Sequence, residues 1–277
     1  MTIAAPHEAD PSDPTPAPVF LRHRAWLRTT HWIWVVCLTV LLMSGLQIFN
    51  AHPALYAGIQ SNFDDPLLSI DVNDAGTRGI TTIFNHPFDT TGVLGLSAGP
   101  YGVEARGFPR WSTIPASQDL ATGRRWHFLF AWALVINGFV YLAFAFASGH
   151  VRRDLWPGLG DIRRIPGAIR DHTRLRFHRT RRYNALQKVS YAALIFLVLP
   201  ILVLAGIAMS PTLDAAFPWL LDLFGGRQSA RSIHFLMATL LVLFVIVHLA
   251  MVLVSGVFNN LRSMITGRYV IDAETGP

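Results

Sequence analysis

His234 and His248 lie fourteen residues apart in a run that is otherwise apolar, I-H-F-L-M-A-T-L-L-V-L-F-V-I-V-H-L-A-M-V over 233–252. Imidazole is a common metal ligand and carries protons near neutral pH. Placed in lipid, such a residue is costly and marks function. At about 100° per residue, fourteen residues fall about 40° short of four full turns, so the two rings share one helix face at depths about 21 Å apart. One helix therefore offers a ligand at each of two levels.

The elements that must position these rings are visible as apolar runs. Of the 277 residues, 52% are hydrophobic and 14% charged, a membrane composition. Four runs, Trp32 to Phe49, Trp126 to Ala147, Val189 to Met209 and Ile233 to Val257, are each near the roughly 20 residues that cross a hydrocarbon core. The expected fold is an all-α integral membrane bundle, with transmembrane helices at about 30–50, 125–148, 187–209 and 231–257. Eleven of the 23 Lys and Arg residues fall between Arg152 and Lys188, whereas the segment from 51 to 125 carries seven acids against five arginines. By the positive-inside rule the basic loop, 149–186, is cytoplasmic, as are both termini, and the long loop, 51–124, is extracytoplasmic. The net charge of +6 is thereby explained by lipid. No aromatic stacking platform accompanies the arginines, which argues against nucleic acid. Within the basic loop, L-W-P-G-L-G-D-I-R-R-I-P-G-A-I-R-D-H predicts a short amphipathic helix at the headgroups. Residues 1–20 are Pro-rich without a basic leader and read as a disordered cytoplasmic tail; 271–277 form a second tail.

Depth assigns partners to the two histidines. The second and fourth helices both run inward, and His127 follows Arg125 as His234 follows Arg231, so these two share the outer level. The first helix runs outward from the cytoplasm, and His31 near its start meets His248 at the inner level. His150 is the rival for that inner position, but lies further along, at the headgroups. Two imidazoles facing each other from different helices, twice, is the arrangement that holds two b-type haems with both axial positions filled. Zinc would call for four ligands at one site. The single cysteine, Cys37, allows no C-x-x-C-H attachment, so the cofactors are non-covalent. Gly45 and Gly138 lie on the ligand faces of their helices and are expected to admit the haem planes. Arg124, Arg125, Arg231 and Arg28 flank the levels and are candidates for haem propionates, interfacial anchoring being the alternative.

On these residues the chain resembles the four-helix di-haem cytochrome b family that contains the gamma subunit of formate dehydrogenases and the b-type cytochromes of nickel-iron hydrogenases and thiosulfate reductases. The resemblance covers about residues 20 to 270. It rests on T-T-H-W at 29–32, R-R-W-H-F at 124–128, R-Y-N-A-L-Q-K at 182–188, A-M-S-P at 208–211, L-F-G-G-R-Q-S-A-R-S-I-H-F at 223–235 and the His234 and His248 pair. The last segments look most like the membrane cytochromes that accompany molybdopterin oxidoreductases. The resemblance implies a bacterial inner-membrane subunit of a respiratory chain, rather than a complete enzyme, that transfers electrons between an extracytoplasmic redox subunit and quinone. It also implies a quinone pocket beside the inner haem, which by position points to Asn184 and Gln187, with Tyr183 and Lys188 as neighbours; Asn184 is equally suited to cap the third helix. The 51–124 loop is longer than in the formate-type subunits. It reads as a docking surface for the partner or as an unstructured insertion, with His52 and His86 ordinary surface residues. A small transporter or proton-relay protein is the alternative from a different class, but the chain lacks its inverted repeat and broken helices.

Overall fold

The computed structural model describes residues 19–174 and 183–270. The expected tails, 1–20 and 271–277, fall outside the described residues apart from Val19 and Phe20. Among the described residues, four helices are long and apolar enough to cross a membrane: α1 (Ala25–Phe49), α2 (Leu120–Ala147), α4 (Ala185–Met209) and α7 (Arg227–Val254). Many of their bulky apolar side chains are exposed, for example Phe139, Leu243 and Ile246, as expected of helices whose outer faces meet lipid.

Local chemistry fixes where the helices begin. The Asp119 carboxylate accepts the Thr122 N–H at 3.0 Å, and that bond holds its pKa below the usual carboxylate range. This cap starts α2 five residues before the expected 125. Asn184 and Gln187 form a reciprocal capping box at α4: Asn184 accepts the Gln187 N–H at 2.8 Å, and Gln187 accepts the Asn184 N–H at 3.2 Å. A π-helical turn at Leu194–Val198 precedes Pro200. It accommodates a residue that has no N–H and would collide with the carbonyl four positions back. The apolar run expected to continue to 257 stops at Val254. Gly256, at φ 108°, turns the chain into an amphipathic helix.

The helices associate in two pairs. α1 packs along α2, and α4 packs along α7, while neither member of one pair packs to a comparable extent along a member of the other. Small residues, Ala205, Ala208 and Ala230, all fully buried, let α4 and α7 approach closely. Within the first pair, the Asn137 amide donates to the Thr30 carbonyl at 2.9 Å. The seam between the pairs is closed at one end by Trp26, Tyr141, Tyr191 and Phe196, and at the other by Phe49, Phe108 and Phe235.

The segment expected as a long loop is folded. Strands β2 (Ala54–Leu55), β3 (Leu68–Val72), β4 (Gly79–Ile83) and β5 (His86–Asp89) make an antiparallel sheet in that order, and β6 (Gly95–Gly99) pairs with β7 (Gly102–Arg106) as a hairpin. The β4–β5 turn carries Phe84 and Asn85 at φ 45° and 63°, the left-handed pair that a two-residue hairpin requires. This β-rich region is stitched to the start of α7. The Gln228 and Ser229 N–H groups both donate to the Gly58 carbonyl at 3.1 Å, Ser232 donates to the Tyr56 carbonyl at 2.7 Å, and Arg231 donates to the His52 carbonyl. At the opposite, arginine-rich end lie α3 (Leu159–Thr173), the amphipathic helix that the sequence predicts, and α8 (Val257–Thr266). There β1 (Val19–Leu21) pairs antiparallel with β8 (Arg268–Val270). Two short helices, α5 (Pro211–Ala216) and α6 (Trp219–Phe224), join α4 to α7.

Candidate functional site

Four imidazoles face one another across the seam, in two pairs at opposite ends of it. His127 of α2 meets His234 of α7 with ring centres 6.2 Å apart, and His31 of α1 meets His248 of α7 at 6.5 Å. In each pair the two rings come from different helix pairs, so a group held between them would be gripped by both halves of the bundle. A metal bonded on either side to an imidazole nitrogen, at about 2.0–2.1 Å per bond and with each ring centre about 1.1 Å further back, sets ring centres roughly 6.3 Å apart. Both separations fit an iron held axially by two imidazoles, the donor set of a b-type haem. Among the described residues no group of three or more His, Cys, Asp or Glu side chains converges, so the donor sets are two and two.

The pair at the β-rich end is held in one tautomer. Ser44 donates its hydroxyl proton to the Val40 carbonyl at 2.6 Å, which leaves its oxygen to accept from His127 Nδ1 at 3.1 Å. His234 Nδ1 lies 2.8 Å from the Leu202 carbonyl, an acceptor that requires Nδ1 to carry the proton. Nε2 is then the lone-pair nitrogen on both rings. Fixing the second nitrogen in this way orients a ligand ring and raises its basicity. Two glycines make room for the rings. A Cβ on Gly45 of α1 would stand 3.3 Å from His127 Cε1, and one on Gly206 of α4 would stand 3.3 Å from His234 Cε1.

Among the described residues, the other pair is held by packing. His31 Nδ1 is buried without a partner, and the ring meets Trp32 edge-on. His248 stacks on Phe244 with ring centres 5.8 Å apart.

Several expected neighbours occupy other positions. Gly45 admits the His127 imidazole rather than a porphyrin plane, because it faces α2 within its own pair. A Cβ on Gly138 would meet nothing within 4 Å. His150 joins neither pair: it bonds Asp154 at 2.7 Å and packs edge-on against Trp26 and Tyr183. Arg231 is committed to the His52 carbonyl and to the face of Phe49. Arg28 donates to the Ile265 carbonyl of α8, Arg124 lies over the Phe128 ring, and Arg125 is exposed. The side-chain oxygens of Asn184 and Gln187 are both used in the capping box, and Lys188 pairs with Asp161 at 3.0 Å. His86 is exposed as expected. His52 is instead stacked on Tyr56 with its Nε2 buried, and burial followed by the Arg231 charge pushes its pKa down.

Sequence reasoning missed Ser44, Asn137, Leu202 and Gly206. Gly206 had a signal: it is the one glycine within the α4 run L-V-L-A-G-I-A-M. Leu202 had none, since it contributes only its carbonyl.

A family model for prokaryotic cytochrome b561 matches residues 22–267. The "Putative protein-methionine-sulfoxide reductase subunit YedZ1" of Azospira oryzae is 28% identical over 251 residues, covering 90% of this chain and 98% of that protein. No solved structure matches at a significant level.

Proposed function

The chain belongs to the prokaryotic cytochrome b561 family and is a membrane b-type cytochrome subunit for electron transfer; on that premise we propose that it connects the quinone pool to an extracytoplasmic redox subunit through two b-type haems. His127 and His234 hold one, and His31 and His248 hold the other. The observation that carries this reading is the pair of imidazole couples across one seam, with ring centres 6.2 and 6.5 Å apart. When bound, each haem would supply a one-electron couple suited to electron transfer.

The chain's own residues orient and insulate. Ser44 and the Leu202 carbonyl fix the tautomers at the β-rich end, and the aromatic closures at both ends of the seam keep water from it. Of the two tentative propionate partners, Arg125 is exposed two residues, about half a turn, before His127, whereas Arg231 is already engaged. The charge distribution supports placing the arginine-rich end at the cytoplasmic face of the bacterial inner membrane. The β-rich region then lies outside, where exposed Tyr101, Val103 and Trp111 give a partner apolar ground to dock on. A molybdopterin oxidoreductase is the favoured partner. The name of the relative, a reductase subunit, supports flow from quinol outward. Quinone reacts at the cytoplasmic end beside Tyr183, with Asn184 and Gln187 shaping the wall through their cap.

Single and paired ligand substitutions test the assignment. His127→Ala and His234→Ala should each lose one haem per chain, and the double variant should lose no more than either alone. If the double variant loses both haems, the pairing is wrong.

A further inference from the structure

At the arginine-rich end a cavity of about 260 Å³ opens between the start of α1, the turn after α2 and the start of α4. Its walls combine two aromatic faces, Trp26 and Tyr183, with a hydrogen-bonded acid and base, Asp154 and His150. Neither imidazole couple enters it. Gly149, at φ 69°, ends α2, and the π-helical turn Val151–Leu155 then folds Asp154 back to within 2.7 Å of His150 Nδ1. Single π-helical turns recur at functional sites. The two side chains differ in access: His150 is 14% exposed and Asp154 39%. Both side chains line the cavity, and Asp154 is the more open to solvent.

We propose that this cavity binds the ring of the quinone and that His150 and Asp154 exchange its protons with the cytoplasm. This rests on the quinone reading above. The volume, just below that of a complete small-molecule site, suits one planar head whose tail stays in lipid. Asp154 holds the Nδ1 proton of His150, leaving the Nε2 lone pair to accept from a quinol hydroxyl, the geometry of a general base. Oxidising one quinol breaks two O–H bonds and releases two protons and two electrons. The first proton passes to Nε2 of His150 as the Nδ1 proton moves to Asp154, which releases it to water; the ring then turns over to restore a bare nitrogen toward the quinol and an N–H toward Asp154, and the second proton follows by the same route. The electrons leave one at a time for the oxidised partner subunit. Run in reverse, electrons from a reduced partner and two protons entering through the same pair convert quinone to quinol.

The charged and titratable groups facing His150 are Arg22, His23 and Arg24 from the N-terminal segment, Arg153 and Asp154 from its own turn, and Tyr183 ahead of α4. Burial, with Arg22 beside it, lowers the His23 pKa to about 3, and burial pushes the Tyr183 phenol up. Neither of these two is suited to shuttle protons at neutral pH.

The test uses full-length, haem-loaded protein in nanodiscs and a short-chain benzoquinol. Haem reduction is followed by stopped flow across pH, and binding of the oxidised quinone is measured by equilibrium dialysis. His150→Gln should slow reduction by quinol about a hundredfold and weaken quinone binding, with the dithionite-reduced spectrum and haem count unchanged. Asp154→Asn should slow it about tenfold and flatten the pH profile, and Asp154→Glu should restore both. A His150→Gln protein reduced by quinol at the wild-type rate overturns the proposal. Should that variant lose haem, Asp154→Asn decides: an unaltered pH profile overturns the dyad. If quinol fails to reduce even the wild-type haems at any pH, the quinone reading itself falls and the proposal falls with it.

Discussion

The smallest parts of the site decide most about it. His127 and His234 each lean on a glycine of the neighbouring helix in their own pair, at 3.3 Å from where a Cβ would stand. Methyl addition there needs only a few tenths of an ångström of give, but a branched side chain has nowhere to go. Gly206→Val should therefore displace His234 and lower haem content from two per chain to one, with Gly206→Ala close to wild type; haem assay per chain checks it. The sequence singled out Gly45 correctly but for the wrong neighbour. Helical spacing gives the face a residue occupies and not what stands opposite. His23 shows the same limit: it drew no notice in the sequence, yet it is 8% exposed and stacked on Tyr183. Its pKa is about 3 in the fold against 6.5 as a free side chain. The unfolded chain binds the extra proton first, so this residue's contribution to stability is complete above about pH 6.5 and is lost as pH falls toward 3. The thermal midpoint should drop over that window, and His23→Phe should drop less. Equal slopes would contradict the assignment.

At the scale of elements, the spans and their charge asymmetry were legible because lipid imposes a length and a composition on every helix that crosses it. The β-rich region was not. Its strands are two to five residues long and alternate too briefly to stand out, and much of its order comes from a buried arginine that sequence cannot reveal. Arg106 is fully buried at the end of β7. It donates to Gln47 of α1 at 3.2 Å, to Thr113 at 3.0 Å and to the Ala116 carbonyl at 2.9 Å, and it pairs with Glu104 at 3.7 Å. Burial is the main influence on its pKa, lowering it, and the Glu104 charge opposes that. Because this one side chain joins the hairpin to a membrane helix, Arg106→Met should destabilise the β-rich region by about 3 kcal/mol. Hydrogen exchange at β6 and β7 should accelerate while exchange in α4 and α7 stays unchanged. Uniform acceleration would mean that the region does not open as a separate unit.

For the whole molecule, the organising fact is that two helix pairs meet along one seam, and that each imidazole couple draws one ring from each pair. The depth argument from sequence brought the same four histidines together, because two residues fourteen apart on one helix determine two levels, and the direction of each other helix determines which level its histidine can reach. It could not foresee that one couple is tautomer-locked by Ser44 and the Leu202 carbonyl while the other rests on packing. It also could not foresee that His150 turns away to pair with Asp154. The central claim is that this seam holds two haems, each gripped by two histidines. A reduced-minus-oxidised spectrum of the purified chain, with haem quantified per polypeptide, tests it most directly: the account predicts two haems per chain, both low-spin with two imidazole ligands, whereas one haem, or a high-spin site with an open axial position, would contradict it.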